Sequence, residues 1–262
     1  MDQITKITEQ QFERICTDRP FNRFLLTKDY YITVLLYLMK DVEGIYFKGG
    51  TALHKMFLNY ARLSEDIDFT LTRDLEKVKE EVQAIVHNSN FFEKITKDKD
   101  VHGFTRLIVH YKGFAGQEDV IFIDLNQRGK LLLKPEKHSV KHFYSDEIPA
   151  FSFPTLAREE MIAEKVVAAI DRNKPRDHFD IYMIIKAGIP IDIDLVKRKC
   201  KESGTEFDVT RMFNMGQKLH RRWNEDMIPL LAEEISFQEV MGTVAKYFGL
   251  KEEKEKKKIA KI

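Results

Sequence analysis

Two short stretches decide how this chain is expected to fold: residues 48–53 read KGGTAL, and residues 62–69 read RLSEDIDF. In the first stretch, Gly49 and Gly50 mark a tight loop, and two glycines let the backbone approach a phosphate closely. A helix that starts just after them points unpaired N–H groups and a positive dipole end at an anion. The stretch therefore predicts a phosphate-binding loop before a helix, with Thr51 as the helix cap.

The second stretch carries two acids on a predicted strand. Ile67, Phe69 and Leu71 alternate with polar residues, which is the period of a strand with one apolar face. Asp66 and Asp68 are two residues apart, so both carboxylates leave the same face. Two hard oxygen ligands suit Mg²⁺ or Mn²⁺, which keeps its other positions for water and substrate phosphates. The pattern predicts a metal site of the kind that phosphoryl and nucleotidyl transfer use.

Each motif alone has a simpler interpretation. A Gly-Gly pair is most often a turn, and two acids at alternate positions of a strand are most often a solvated face. Their combination, with one predicted helix between them, favours the functional interpretation over both.

Hydrophobic periodicity predicts further elements in the first half of the chain. Glycine and glutamine near residues 113–117 favour a turn, so two of the strands are expected to form a hairpin. The predicted segments are a buried helix over residues 21–40, a strand over 45–47, a helix over 52–59, a charged helix over 74–87, and strands over 104–111 and 120–125.

The pattern changes at Pro154, after which the chain reads as helices. Thr155 and Asp177 are predicted to cap two of them, and Gly188 to end the second. The charge-dense residues 251–262 are predicted to be frayed or solvated.

The order of these segments predicts an α+β fold in two domains. We expect a mixed sheet flanked by helices over residues 1–153, followed by a helical bundle over residues 154–262.

Composition indicates a globular chain but no particular partner. The 262 residues carry 43 Lys and Arg against 42 Asp and Glu, so any argument for nucleic acid must rest on local patches. Cys16 and Cys200 form no disulfide or zinc pattern. No stretch reaches the roughly 18 apolar residues of a membrane span. The chain is expected to be cytoplasmic, without a membrane partner, and monomeric because no heptad seam is evident.

The two stretches together resemble the first motif of the AbiEii/AbiGii nucleotidyltransferase family. This family includes toxins of toxin–antitoxin and phage-exclusion systems, among them the MenT enzymes. A second block, EMIAEK at residues 160–165 and RDHFD at residues 176–180, is similar to the family's later lysine and R-D-x-x-D motifs. The resemblance covers residues 45–185. It implies a domain like that of DNA polymerase β-type nucleotidyltransferases, with the helical domain completing the active-site cleft.

The resemblance also implies an activity and a role for individual residues. Such enzymes transfer a nucleoside monophosphate from an NTP and release pyrophosphate, and several relatives are implied to modify the acceptor end of tRNA. Asp66 and Asp68 would bind the metal, and Asp180 would be a further essential acid. The residues that would hold the nucleotide are Gly49, Gly50, Thr51, Arg62, Ser64 and Lys165.

Four candidate site residues have alternative interpretations. Asp124 is the candidate for a third metal ligand on a neighbouring strand, but it could merely end that strand. Lys165 could extend its amine to solvent, whereas motif position favours a phosphate contact. Asp180 could support a helix start, and motif position favours it over Asp177 as the functional acid. Arg62 could bind phosphate or pair with Glu65.

The acceptor is the least determined part of the prediction. Two basic segments, residues 128–142 and 220–223, are candidate RNA contacts, with Trp223 stacking on a base; charged surface loops without a ligand are the alternative. A tRNA 3′ end is the expected acceptor. A protein hydroxyl, on a cognate antitoxin or on the chain itself, is one alternative, and a non-catalytic nucleotide- or RNA-binding module is another.

Overall fold

The computed structural model describes the backbone of residues 4–259 and the side chains of residues 4–254. The chain divides into two compact units, Met1–Ala157 and Arg158–Ile262. This division falls slightly later than the predicted one, because Ser152–Thr155 form a strand that belongs to the sheet of the first unit. None of the described helices is long and apolar enough to cross a membrane.

The first unit is built on one mixed sheet flanked by helices, as the sequence predicts. Its described helices are α1 (Glu9–Asp18), α2 (Arg23–Met39), α3 (Gly49–Met56) and α4 (Leu75–His87), and its described strands are β1 (Ile45–Lys48), β2 (Asp66–Leu71), β3 (Lys94–Val101), β4 (Phe104–Lys112), β5 (Glu118–Asn126), β6 (Glu136–Ser139) and β7 (Ser152–Thr155).

The strand order places β2 near the middle of the sheet. The seven strands run β3-β4-β5-β2-β1-β7-β6. The β2–β5 and β1–β7 pairs are parallel, and the other pairs are antiparallel. The predicted hairpin is confirmed as β4 and β5.

Strand alternation separates an apolar from a polar face on β2. Ile67 and Phe69 are fully buried, and the Phe69 ring packs against Phe47 of β1 and Phe153 of β7, at centroid distances of 5.7 and 5.6 Å. Asp66 and Asp68 therefore leave the opposite face, where they are partly exposed.

The second unit is helical in its described part, which confirms that prediction. The helices are α5 (Arg158–Asp171), α6 (Pro175–Lys186), α7 (Ile193–Ser203), α8 (Gly216–Asp226), α9 (Phe237–Tyr247) and α10 (Leu250–Ile259), with short 3₁₀ turns at Val209–Phe213 and Ile228–Leu230.

Several predicted boundaries are wrong. Thr51 does not cap α3, because that helix begins at Gly49. Thr155 ends β7, and Asp177 lies inside α6, which begins at Pro175, a residue whose fixed φ suits the first helical position. The tail, predicted to be frayed or solvated, is helical up to Ile259, and three of its four described side chains, those of residues 251, 252 and 254, are exposed; residues 260–262 lie outside the described part.

Strands β3, β6 and β7 were not predicted. In β3, which reads KITKDKDV, only Ile95 is buried, so no apolar alternation marks it. Its charges are typical of an edge strand that resists pairing with another chain. Strands β6 and β7 have four residues each, too few for a clear period.

A buried ionic network ties α3 to α2. The Lys55 amine on α3 lies 2.7 Å from Asp29 Oδ1 on α2 and donates to the Tyr60 hydroxyl at 2.7 Å. The Tyr144 hydroxyl donates to Asp29 Oδ2 at 3.1 Å. Burial lowers the pKa of Lys55, and Asp29 opposes that effect. The network also holds Tyr60 at φ +57°, a conformation that side-chain-bearing residues rarely adopt.

We predict that Lys55→Met lowers the free energy of unfolding by ~3–5 kcal/mol, because it leaves the Asp29 carboxylate buried without its cation. Adding Asp29→Asn should recover part of that loss, since no uncompensated charge remains. Urea unfolding of wild type, both single variants and the double variant measures the coupling, with exposed Lys197→Met as the control. Simple addition of the two single effects would contradict the prediction.

Candidate active site

The glycine loop lies directly against one of the acids of β2. Gly49 has φ +80°, and a Cβ placed on it would come within 2.2 Å of Asp68 Oδ2. A Cβ on Gly50 would come within 2.6 Å of Arg62 Nη2 and 3.5 Å of Ser64 Oγ. Five of the predicted site residues thus meet around the start of α3, and glycine is required at position 49 by space as well as by conformation, whereas at Gly50 only the space beside Arg62 is limiting.

The local sequence explains how this contact arises. Strand β1 pairs antiparallel with β2, which sets Lys48 opposite Asp68. Helix α3 begins at the next residue, Gly49, and no side chain caps its first turn. The N-terminal amides of α3, which have no intrahelical acceptor, therefore start beside the acids, as the phosphate-loop prediction requires.

Thr51 and Arg62 secure the loop from within the first unit. The Thr51 hydroxyl donates to the Asp66 carbonyl, which fastens α3 to β2. Arg62 is 2% exposed, and its Nη1 donates to the Leu63 carbonyl at 2.8 Å. The hydroxyl of Thr51 is thus used in a hydrogen bond to the backbone, and Arg62 places a buried positive charge next to Gly50.

Asp124 is placed beside Asp68, as predicted, but it is bound by an arginine. The parallel register of β2 and β5 sets Asp124 opposite Asp68, on the same face of the sheet. Arg106 of β4 donates from Nε to Oδ1 and from Nη2 to Oδ2 of Asp124, both at 2.7 Å. Among the described residues, no group of three or more His, Cys, Asp or Glu side chains is arranged to hold a metal ion.

Lys165 and Asp180 meet in the second unit. The Lys165 amine, on α5, lies 2.9 Å from Asp180 Oδ2 and 3.1 Å from Asp177 Oδ1, both on α6. Arg172 adds two hydrogen bonds of 2.8 Å to Asp177. Lys165 is 6% exposed and both acids are fully buried, so the amine pairs internally and does not extend to solvent.

The same cations act on the ionisation of Asp177. Burial opposes its charged form, but Lys165 and Arg172 outweigh burial and lower the pKa of Asp177 to about 2. Asp177 and Asp180 are therefore both partners of Lys165, and the geometry does not single out Asp180 as motif position does.

The two basic segments differ in whether their proposed RNA-contacting side chains are exposed. In residues 128–142, all five Lys and Arg side chains are exposed: Arg128, Lys130, Lys134, Lys137 and Lys141. Trp223, in contrast, is 3% exposed and donates its Nε1–H to the Ile235 carbonyl at 3.1 Å. The prediction that Trp223 stacks on a base is wrong for this structure, because its ring belongs to the core of the helical unit.

Arg106 is the site residue that sequence reasoning missed. No motif marks it, because Arg106 occupies one of the polar positions of an alternating strand, where a solvated side chain is the ordinary expectation. Its signal was the predicted hairpin, because the register of β4 and β5 sets Arg106 directly opposite Asp124.

The mixed sheet, the glycine loop and the paired acids of β2 define this chain as a nucleotidyltransferase. A family model described as "Nucleotidyl transferase AbiEii toxin, Type IV TA system" matches residues 36–243. The chain belongs to this AbiEii family. The match extends beyond residues 45–185, where the motifs alone showed a resemblance.

Solved structures share the fold. The chain is 22% identical to MenT4, a nucleotidyltransferase toxin from Mycobacterium tuberculosis H37Rv, with a TM-score of 0.69 over 93% of this chain and 89% of that one. JHP933 from Helicobacter pylori is 19% identical, with a TM-score of 0.58 over 92% and 98% of the two chains. A putative nucleotidyltransferase from H. pylori is 19% identical, with a TM-score of 0.60 over 90% of this chain and 98% of that one. No curated protein sequence matches the chain significantly.

We predict that Gly49→Ala lowers nucleotidyl transfer by roughly 100-fold or more, because the added Cβ displaces Asp68 from the loop. It should also cost ~1–2 kcal/mol of stability from the left-handed backbone. Gly188→Ala is the matched control: its φ is +67°, and nothing lies within 4 Å of the added Cβ. Gly188→Ala should lose only the backbone contribution and keep its turnover, while Gly49→Ala should lose at least as much stability and its turnover as well. Equal turnover in the two would contradict the role of the contact.

We predict that Asp177→Asn destabilises the chain in a pH-dependent way. The folded-state pKa of Asp177 is lowered, so its contribution is present above about pH 4 and is lost as the pH falls towards 2. The difference from wild type should be roughly 2 kcal/mol near neutral pH and shrink below pH 4. Urea unfolding across that range measures it. A difference that is constant with pH would contradict the ionic role, and exposed Asp194→Asn is the control.

Proposed function

We propose that the chain is a divalent-metal-dependent enzyme that transfers a nucleoside monophosphate from an NTP to an acceptor hydroxyl. One observation carries the proposal: the loop that opens α3 packs on Asp68, with Arg62 and Ser64 beside it. The first amides of α3, the buried Arg62 guanidinium and the Asp68 carboxylate thus lie within one small region of the first unit, and we assign them to binding phosphate and metal. Nucleotidyl transfer requires mainly such positioning and charge neutralisation.

The donor set at Asp66 and Asp68 fits Mg²⁺ or Mn²⁺. Both are carboxylates on one face of β2 and both are partly exposed, so oxygen ligands and room for solvent are present together. A bound divalent ion would neutralise charge that develops on the transferred phosphate.

The chain's own groups would act on the nucleotide around that position. The first amides of α3 bind triphosphate oxygens, and Ser64 adds a hydroxyl donor. Arg62 holds a fixed positive charge near the same phosphates and, since it is buried, keeps its orientation. Gly49 and Gly50 let the phosphates approach the backbone.

Lys165 and Asp180 are proposed to serve the same reaction on the strength of the family resemblance. Lys165, whose amine is paired with Asp177 and Asp180, would contact nucleotide phosphate by exchanging one of these carboxylates for a phosphate oxygen, and Asp180 at 2.9 Å would keep the amine oriented. Asp177 would share that positioning role, because it pairs with the same amine.

We propose the 3′ end of a tRNA as the acceptor. The five exposed basic side chains of residues 128–142 support an RNA partner, because such a segment can follow a phosphate backbone. An antitoxin partner is proposed from the family description, and the cytoplasm, where NTPs and tRNA occur, is the proposed location. A hydroxyl on a protein is the alternative acceptor.

The test is incubation of the protein with Mg²⁺, total tRNA and each α-³²P-labelled NTP in turn. Wild type should label tRNA with one or more nucleotides, and Asp68→Asn should reduce the labelling by roughly 1,000-fold or more, because it removes a metal ligand. Asp194→Asn, on the exposed surface of α7, is the matched control and should label like wild type.

The form of the labelled product decides between the acceptors. RNase-sensitive label supports the tRNA acceptor, and protease-sensitive label moves the acceptor to a protein. No label under any of these conditions would contradict nucleotidyl transfer and favour a non-catalytic binding module.

A further inference from the structure

Four charged residues form one row across the polar face of the sheet. Lys48 of β1 is opposite Asp68 of β2, Asp68 is opposite Asp124 of β5, and Asp124 is opposite Arg106 of β4. Directly opposed residues share a face and bring their Cβ atoms close together. The row therefore reads plus, minus, minus, plus, and its two acids are neighbours whose repulsion needs a compensating charge.

Arg106 supplies that charge in a defined geometry. Its two hydrogen bonds to Asp124, each 2.7 Å, form the side-on pair in which a guanidinium binds a carboxylate most strongly. The guanidinium also lies 5.3 Å from the centroid of the Phe122 ring. Phe122 is opposite Asp66 in the parallel register, so the arginine is held toward the second acid of β2 as well.

Electrostatics agrees with this placement. Hydrogen bonding to Asp124 raises the pKa of Arg106, and the charge of Asp66 adds to that effect. The Asp124 side chain is 16% exposed and that of Arg106 is 37% exposed, so water screens the pair only in part. The positive charge of Arg106 thus pairs with Asp124 and acts on Asp66, while Asp68 is the neighbour of Asp124 in the row.

We propose that Arg106 is a built-in cation of the active site, which keeps Asp124 out of metal coordination and leaves one divalent-cation site, on Asp66 and Asp68. This inference rests on the proposed function. It replaces the prediction that Asp124 is a third metal ligand with a positioning role for that residue.

A charge count shows why a single ion suffices before nucleotide binds. The three carboxylates carry three negative charges, whereas Lys48 and Arg106 in the same row carry two positive charges, so one divalent cation already brings this set past neutrality. A second divalent ion would have to approach a guanidinium at close range and displace two charge-assisted hydrogen bonds. Asp124 thereby holds Arg106 in place, and Arg106 occupies the position where the charge of a second ion would otherwise be needed.

Mn²⁺ binding, measured by electron paramagnetic resonance on the full chain without nucleotide, tests the proposal. Wild type should bind one Mn²⁺ in the tight class, and Asp124→Asn should leave that number at one but weaken the Kd, because Asp124 is no ligand and its loss leaves the charge of Arg106 uncompensated beside Asp66. Arg106→Gln should raise the number to two, and Arg106→Gln with Asp124→Asn should return it to one. Arg106→Lys, which keeps the charge, should stay at one.

The controls separate the possible failures. Arg73→Gln removes an arginine that binds Glu81 bidentately at the surface and should not change Mn²⁺ binding. If Asp124→Asn removes a bound Mn²⁺ from wild type, or if Arg106→Gln folds with an unchanged number of ions, the role of Arg106 is overturned while the proposed function stands. If Asp68→Asn leaves Mn²⁺ binding unchanged, the metal site of the proposed function itself fails, and with it this inference.

Discussion

The contact between the Gly49 backbone and the Asp68 carboxylate is the constraint around which the first unit is organised. A side chain at Gly49 would overlap that carboxylate at 2.2 Å, so glycine is required there by space and by its φ of +80°. The contact exists because β1 and β2 pair antiparallel and α3 starts where β1 ends. The first amides of α3 and the carboxylate of Asp68 are thus held together by the pairing of β1 with β2 and by the start of α3.

Both units contain acidic side chains whose charges are compensated by nearby cations. Each unit buries or half-buries acids and balances them with fixed cations: Arg106 for Asp124 in the first unit, and Lys165 with Arg172 for Asp177 in the second. Buried ion pairs add little net stability compared with apolar packing, but removing one partner is costly. Such pairs therefore fix the positions of the charged side chains, and the proposed binding of a triphosphate depends on fixed charges.

Sequence reasoning succeeded where a single period or motif carried the information. Helix α2, the acid-bearing strand β2 and the β4–β5 hairpin follow from periodicity, because one face of each must be buried. It failed at Thr51 and Thr155, where a threonine before an apolar run reads as a cap although the backbone has already entered a helix or remains in a strand. Strand β3 was not predicted because its charged residues show no alternation of polar and apolar positions.

The sequence by itself determined the class of the chain: glycines that permit close backbone approach, acids at alternate positions of a strand, and the family that these motifs share. Those are local properties, because they depend on residues that are neighbours along the chain. Only the tertiary structure decided what each charge faces. That Arg106 binds Asp124, that Arg62 reaches Gly50, and that Trp223 is buried depend on strand register and helix packing. The sequence pattern indicated the β4–β5 hairpin but not its register, and helix packing joins residues that no local pattern connects.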